Sequence, residues 1–181
     1  MKRVIIVNGV PASGKSTTAK AIANEFGFPY LSIDTIKEPF MDIHGDIDRA
    51  FNREMGKAAY QVIWDTVSSA PHQCTYVIDA WFGFQPKALL EDYLTSAGVT
   101  EVLEIWNQVS PELVVERYRQ RLPDRKPGHP GEEYIPELYA LAERAQAMAI
   151  SQVITVDHAK PIDLNVLKQQ VKTHLWGREV A

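Results

Sequence analysis

The chain has 181 residues, of which 45% are hydrophobic and 23% charged, and its net charge at pH 7 is −4. This length suits a single domain with a sizeable core, and the composition is ordinary for a soluble globular protein. The acidic balance excludes a general attraction to nucleic acid, so we expect none as a partner. Cys74 is the only cysteine, which excludes an internal disulfide and agrees with a cytoplasmic location. The apolar run after Met1 is too short for export or for spanning a membrane.

Five short runs rich in β-branched and apolar residues predict β-strands, at residues 3–7, 28–33, 75–79, 101–106 and 152–157. Helical patterns separate them, at residues 15–26, 35–46 (a short helix, then a loop), 47–67, 86–97, 110–122, 136–149 and 164–175. This alternation predicts an α/β protein with a doubly wound, five-stranded parallel sheet. We expect one domain over residues 1–181, with a mobile lid at about 121–136, where Pro, Gly and basic residues concentrate.

The stretch after the first predicted strand matches the phosphate-binding pattern G-x-x-x-x-G-K-[ST], with Gly9, Gly14, Lys15 and Ser16 at the fixed positions. The glycines let main-chain N–H groups close around phosphate oxygens. Lys15 can reach the β- and γ-phosphates, and the Ser16 hydroxyl can bind Mg²⁺. The predicted nucleotide-binding residues are Gly9, Val10, Pro11, Ala12, Ser13, Gly14, Lys15, Ser16 and Thr17.

Two carboxylates follow the next two predicted strands, Asp34 after the second and Asp79 after the third. Strand carboxyl ends of a parallel sheet meet at the ligand-binding edge, so both should lie near the phosphate loop. Asp79 then suits the acidic partner of Mg²⁺, together with Ser16. Asp34 fits two interpretations equally well, either a general base for an acceptor hydroxyl or a cap on a short helix.

Basic residues concentrate around residues 117–126, before and within the predicted lid. Arg121 and Arg125 border the Pro/Gly-rich part and are our candidates for contacting the transferred phosphate. The alternative is a solvated helix face, on which the arginines pair with nearby glutamates. Arg119 is expected at the surface, and His129 is expected to be a loop residue rather than a catalytic one.

These motifs, in this order, resemble the small P-loop kinases related to polynucleotide kinase, chloramphenicol phosphotransferase and the zeta toxins. The resemblance spans residues 1 to about 130 and rests on four segments, at residues 9–17, 32–34, 77–83 and 110–125. It implies ATP and Mg²⁺ as cofactors and the strand order 2-3-1-4-5. It also implies that Asp34 is the general base, and that the turn beginning at Trp81 forms a wall of the acceptor pocket.

We therefore predict a kinase that transfers the γ-phosphate of ATP to a hydroxyl of a small molecule, such as a sugar, an amino sugar or an antibiotic. The predicted roles are catalytic for Asp34, Lys15, Arg121 and Arg125, acceptor-binding for Asp34, Asp79 and Trp81, and metal-binding for Ser16 and Asp79. We expect a monomer or a homodimer. The sequence leaves the adenine contacts open, and the loop at residues 158–160 is one candidate for them.

Two alternatives stay open. One is a kinase of nucleosides, nucleotides or polynucleotide 5′-hydroxyls. A polynucleotide acceptor is opposed by an acidic segment where the acceptor should bind, with Glu38, Asp42, Asp46 and Asp48. The other is a switch that binds and hydrolyses ATP without an acceptor.

Overall fold

The computed structural model describes residues 1–177 and contains one parallel sheet in the order β2-β3-β1-β4-β5. The strands are β1 (Arg3–Asn8), β2 (Tyr30–Ser32), β3 (Thr75–Ala80), β4 (Glu101–Gln108) and β5 (Gln152–Asp157). The first strand is central and pairs in parallel with β3 and β4. The predicted fold class and strand order are therefore confirmed. The last four residues of the predicted domain, 178–181, lie outside the described residues.

Seven α-helices cover the described part of the sheet. They are α1 (Lys15–Phe26), α2 (Ile33–His44), α3 (Arg49–Ser69), α4 (Lys87–Ser96), α5 (Pro111–Arg121), α6 (Ile135–Arg144) and α7 (Leu164–Trp176). Short 3₁₀ turns at Leu122–Asp124 and Glu132–Tyr134 lie between α5 and α6. None of the helices in residues 1–177 combines the length and apolarity needed to cross a bilayer.

The alternation of β1 side chains divides the core into two layers, because successive residues of a strand point to opposite faces. Ile6 packs with Trp64 and other residues of α3 and α4 on one face. Ile5 packs with Ile22 and with residues of α7 on the other. A third cluster joins Val10 of the phosphate loop to α5 and α6. The loop is thus supported by apolar packing as well as by the strand that precedes it.

Two regions depart most from the sequence-based expectation. The second strand ends at Ser32, and α2 begins directly at Ile33 and continues to His44, through Pro39. The sixth helix ends at Arg144 rather than near residue 149. It ends early because the main-chain N–H groups of residues 148 and 149 donate to the buried carboxylate of Glu104 in β4.

Lys2, which precedes β1, has a structural role. Lys2 is 3% exposed, and its ammonium donates to the carbonyls of Val67 (2.7 Å), Ser68 (3.0 Å) and Ala97 (2.9 Å). These carbonyls lie at the C-terminal ends of α3 and α4, where helices leave main-chain oxygens without partners. One positive charge therefore caps two helices.

Candidate active site

The phosphate loop connects β1 to α1 through two residues in the left-handed backbone region, Ala12 (φ 62°) and Gly14 (φ 97°). A Cβ atom on Gly14 would lie 2.4 Å from Cε1 of His158, and one on Gly9 would lie 2.4 Å from Oγ of Ser13. Glycine is therefore required at both positions by the protein's own packing, in addition to the close approach of phosphate.

The N-terminus of α1 carries no side-chain cap and no acidic residue in its first turn. Its free N–H groups and the positive end of the helix dipole therefore face the loop, where they suit an anion. Lys15 and Ser16 open this helix and line the cavity beside it. The sequence-predicted phosphate site thus has the local geometry that anion binding requires.

A hydrogen-bond network supports the loop from behind. Nη1 of Arg117 donates to the carbonyl of Ser13 and to Nδ1 of His158, at 3.1 Å each. Nε2 of His158 lies 3.0 Å from Oδ1 of Asn107, which also accepts from Thr18 at 2.8 Å. A guanidinium can only donate, so Nδ1 accepts and the ring proton is on Nε2.

Burial and the neighbouring Arg117 lower the pKa of His158 to about 4, so the ring is neutral near pH 7. Sequence reasoning considered this histidine as a possible adenine contact, but the structure places it against Gly14. It placed Arg117 among the basic residues before the predicted lid and gave it no role of its own. The spacing of residues within the helix gave no sign of the contact with Ser13, because the two residues are 104 positions apart.

Asp79 lies near the end of β3 and is 3% exposed. Its Oδ2 accepts a hydrogen bond from the Tyr30 hydroxyl at 2.7 Å. Burial and Asp79 raise the pKa of Tyr30, so the phenol keeps the proton it donates. The other carboxylate oxygen, Oδ1, is buried and has no hydrogen-bond partner within residues 1–177.

An orphaned carboxylate oxygen beside a phosphate site fits Mg²⁺, which takes hard oxygen ligands. Asp79 and Ser16 line the same cavity. No group of three or more His, Cys, Asp or Glu side chains in the described chain could hold a metal by itself. Mg²⁺ commonly takes one or two protein oxygens, with phosphates and water as its other ligands.

Asp34 lies in the first turn of α2, and its Oδ1 is 3.2 Å from Nζ of Lys37. Burial acts to raise the pKa of Asp34, but Lys37, Lys15 and His129 together outweigh it and hold this pKa below its usual value. The side chain keeps 60% exposure and lines the cavity. An ionised, accessible carboxylate therefore lies at the site predicted for the general base.

These groups surround a cavity of about 460 Å³ between the phosphate loop, α2, α3 and the region after α5. Trp81 and Phe84 contribute aromatic surface to it, whereas Phe82 between them is fully buried in the core. Two of the three aromatic residues of the turn thus line the cavity. Gly83 allows this shape, since a Cβ there would lie 2.2 Å from the Trp81 ring.

Both arginines chosen from the sequence line the cavity. Arg121 ends α5, and the guanidinium of Arg125 lies 4.8 Å from the centre of the Tyr118 ring. Arg119 has a 60% exposed side chain, 3.9 Å from Glu132, and does not line the cavity. Arg121 thus lines the cavity and Arg119 lies at the surface, although both belong to the last turn of α5.

The segment 121–136 contacts α2 and α3 through polar pairs. His129 Nε2 lies 3.1 Å from Glu38 Oε1, Lys126 pairs with Asp42, and the side-chain amide of Asn52 donates to the carbonyl of Gly128. His129 has a side chain only 5% exposed and lines the cavity, so it is more than a surface loop residue.

The acidic segment does not face the acceptor space as the sequence suggested. Glu38 and Asp42 bind the segment 121–136, and Asp48 caps α3 by accepting from the N–H of Phe51 at 2.7 Å. Asp46 is also absent from the cavity lining within the described residues. Because Glu38, Asp42 and Asp48 bind protein partners, the acidity of this segment is not evidence against a polynucleotide acceptor.

Comparisons with known proteins agree with this geometry. A family model described as AAA domain (AAA_33) matches residues 4–147, most of the chain. A candidate kinase from Chloroflexus aurantiacus has 27% identity and a TM-score of 0.82, over 95% of this chain and 97% of its own. No curated protein gave a significant match.

Two more distant structures share the fold. A sugar kinase from Janibacter sp. has 19% identity and a TM-score of 0.63, covering 97% of this chain and 95% of its own. A gluconokinase from Sinorhizobium meliloti has 17% identity and a TM-score of 0.58, covering 98% and 97%. The chain therefore belongs to the AAA domain family and has the fold of the small P-loop kinases, as the sequence resemblance implied.

Proposed function

We propose that the protein transfers the γ-phosphate of ATP to a hydroxyl group of a small-molecule acceptor. The observation that carries this proposal is a single cavity that holds both halves of a transfer site. Lys15 and the phosphate loop lie at one side of it, and the ionised carboxylate of Asp34 lies at another. The sugar kinase and the gluconokinase that share the fold add support for a small hydroxylated acceptor.

The phosphate-binding half consists of the loop at residues 9–17. Its N–H groups and the Lys15 ammonium would hold the β- and γ-phosphates, and Ser16 and Asp79 would hold Mg²⁺. When bound, Mg²⁺ neutralises charge that develops on the phosphate oxygens. The network through Arg117 and His158 keeps the loop in the shape that binding requires.

The acceptor half is centred on Asp34. Its carboxylate would accept a hydrogen bond from the acceptor hydroxyl, orient the oxygen toward the γ-phosphorus and take the proton as the new P–O bond forms. Trp81 and Asp79 lie on the same cavity and would contact the acceptor. The low pKa of Asp34 means that the base is available without prior deprotonation at neutral pH.

Arg121 and Arg125 would stabilise the charge on the transferred group, and the segment 121–136 would act as a lid. Three of its residues are already bound to α2 and α3. Closing this segment over the cavity would exclude water, so that the phosphoryl group reaches the acceptor rather than being hydrolysed. We expect the enzyme to act in the cytoplasm, as a monomer or a homodimer.

Labelled ATP tested with sugars, amino sugars, nucleosides, nucleotides and oligonucleotides distinguishes this proposal from its alternatives. We expect transfer to a small molecule, with kcat reduced about 10²–10⁴-fold in Asp34→Asn and ATP affinity unchanged. Asp65→Asn is the matched control, since Asp65 lies on the outer face of α3. Transfer to oligonucleotides would favour the polynucleotide alternative. Slow hydrolysis with no acceptor, unaffected by Asp34→Asn, would favour the switch and contradict the kinase.

A further inference from the structure

The cavity is strongly basic although the protein is acidic. Among its described lining residues are two carboxylates, Asp34 and Asp79, and six permanently cationic side chains, from Lys15, Lys37, Arg53, Lys57, Arg121 and Arg125. His129 is not counted among these charges, because burial and Lys37 lower its pKa. The whole chain has a net charge of −4, so this concentration of positive charge is local to the cavity.

The proposed transfer accounts for most of these charges. Lys15, Arg121 and Arg125 would face the phosphates of ATP, Lys37 contacts Asp34, and Asp79 would face Mg²⁺. Two basic residues remain without a role in that chemistry. They are Arg53 and Lys57, which lie one turn apart on α3.

Arg53 is not explained by the fold. Its helical neighbours three and four positions away are Arg49, Ala50, Gly56 and Lys57, so no acid shares its face of α3. Arg49 pairs with Glu137, and Lys57 pairs with Glu54 at 2.8 Å. Arg53 itself is exposed, and within residues 1–177 it makes no ion pair or hydrogen bond.

Like charges four residues apart on a helix destabilise it. The arrangement of basic residues at positions 49, 53 and 57 therefore has a cost for stability, which a negatively charged ligand beside Arg53 would offset. Because Arg53 lines the cavity, that ligand would reach it from the acceptor side.

Gly56 provides room beside Arg53. It lies inside α3 and lines the cavity, and a Cβ built on it meets no atom within 4 Å. Glycine inside a helix is less stable than alanine by roughly 0.5–1 kcal/mol. Packing does not require glycine here, whereas a ligand group lying against the helix would.

The cavity is also lined by four aromatic residues, Trp81, Phe84, Tyr118 and Tyr134. Aromatic faces suit a ring or a carbon skeleton between the two polar ends of a ligand. The cavity thus offers a carboxylate for a hydroxyl, an apolar middle and a guanidinium at a third position.

We propose that the acceptor is a small hydroxylated anion, whose carboxylate or phosphate ester group binds Arg53 in the space left by Gly56. This inference rests on the proposed function, and it assigns Arg53 as the residue that selects the acceptor by charge. Lys57 adds a second positive charge one helical turn away, and Asp34 receives the hydroxyl at the other end of the same molecule.

Matched pairs of acceptors test the charge requirement. Gluconate with glucitol, and glucose 6-phosphate with glucose, differ mainly in the anionic group, and the two pairs separate carboxylate from phosphate. Phosphorylation by labelled ATP gives kcat/KM for each compound. Binding is measured independently by titration calorimetry, with a non-hydrolysable ATP analogue and Mg²⁺ present.

The variants are Arg53→Gln, Arg53→Lys and Gly56→Ala, with Arg119→Gln as a surface control. We expect the wild type to favour one anion over its neutral partner. Arg53→Gln should raise KM for that anion about 10–100-fold, as expected for the loss of a charge-assisted hydrogen bond, and leave KM for ATP unchanged. Arg53→Lys should restore part of this affinity. Gly56→Ala should also raise KM for the anion, although alanine favours the helix.

A purely structural role for Arg53 predicts a different pattern. Arg53→Gln removes a like-charge contact, so our proposal expects an unchanged or slightly higher melting temperature together with weaker anion binding. A lower melting temperature, with equal losses for charged and neutral acceptors, would overturn it. Arg119→Gln should change neither quantity.

The remaining outcomes separate this inference from the kinase proposal. Efficient transfer to a neutral acceptor, unaffected by Arg53→Gln, would overturn the anion site and leave the kinase intact. Anion binding that needs Arg53, with no phosphate transfer, would support the site and contradict the kinase. Neither binding nor transfer for either pair would overturn the inference.

Discussion

Asp34 illustrates how the charge state of one carboxylate is set by its neighbours. Burial alone would favour its protonated form, but Lys37, Lys15 and His129 reverse that effect and lower its pKa. Asp34 should therefore remain ionised at pH values low enough to protonate a buried carboxyl without such cationic neighbours. Activity that depends on Asp34 should persist to correspondingly low pH.

Replacing Lys37 by glutamine tests this balance. Without the Lys37 ammonium, 3.2 Å away, one of the effects that lower the pKa of Asp34 is lost, so this pKa should rise. The acidic limb of the pH profile of kcat/KM should therefore move to higher pH. The measurement is the pH profile of kcat/KM for the acceptor. Lys168→Gln, which removes a lysine paired with Glu25, should leave the limb in place. If the acidic limb of kcat/KM stayed in place in Lys37→Gln, the assignment of Asp34 as the general base would be contradicted.

His158 predicts a pH dependence of stability rather than of activity. The unfolded chain binds a proton on this ring near pH 6.5, whereas the folded protein, with a pKa of about 4, does not. The unfolded state therefore binds more protons between those values, and the free energy of unfolding decreases as the pH falls from about 6.5 to about 4.

In His158→Gln that decrease should be smaller, and urea unfolding at several pH values measures it. His72 lies exposed between α3 and β3, so His72→Gln is a suitable control and should retain the wild-type slope. If the free energy of unfolding depended on pH equally in both variants and in the wild type, a neutral His158 in the folded protein would not be supported.

The elements of the sheet followed from sequence because each strand is a short apolar run between helical patterns. The boundaries that differed depend on distant contacts. Nothing in residues 145–151 indicates that Glu104, in another strand, will bind their N–H groups. Similarly, motifs identified Asp34, Asp79 and Lys15, whereas Arg117 and Arg53 matter through three-dimensional proximity that spacing along the chain does not encode.

Lys2 links the ends of two helices, so its removal should affect the whole domain. Lys2→Met leaves three carbonyls without their donor and should lower the free energy of unfolding by about 2–4 kcal/mol. Urea unfolding provides the measurement. Lys172→Met, at an exposed position of α7, should change it by less than about 0.5 kcal/mol. Equal urea midpoints for Lys2→Met and Lys172→Met would contradict the proposal that Lys2 caps both α3 and α4.

Asn52 connects α3 to the segment 121–136, through Gly128, and approaches Lys37 at 3.4 Å. Asn52→Ala removes the amide that holds this segment, so hydrogen exchange of the N–H groups at residues 125–131 should become about 2–10-fold faster. Gln61→Ala, on the outer face of the same helix, should leave their exchange unchanged. Unchanged exchange in Asn52→Ala would mean that the other contacts hold the segment alone.

At the scale of the whole molecule, nucleotide binding should stabilise the fold. A non-hydrolysable ATP analogue with Mg²⁺, at about 100 times its Kd, should add about 2.7 kcal/mol to the free energy of unfolding. For a chain of this size the melting temperature should rise by about 5–10 °C, which calorimetry measures. Lys15→Ala should lose most of the rise, and Lys20→Ala, on the exposed side of α1, should keep it. No rise in the wild type would contradict the phosphate site.

The central position of β1 has a consequence for synthesis of the chain. β1 is translated before both of its sheet partners, which begin at Thr75 and Glu101, and the loop that follows it rests on Asn107, Arg117 and His158. The apolar β1 must therefore stay unpaired on both edges until β3 has been translated, and on one edge until β4 follows, a period in which exposed strands are prone to aggregate. The phosphate loop is thus translated well before the residues that support it, and ATP binding by a nascent chain would report that His158, which follows β5, has reached the loop.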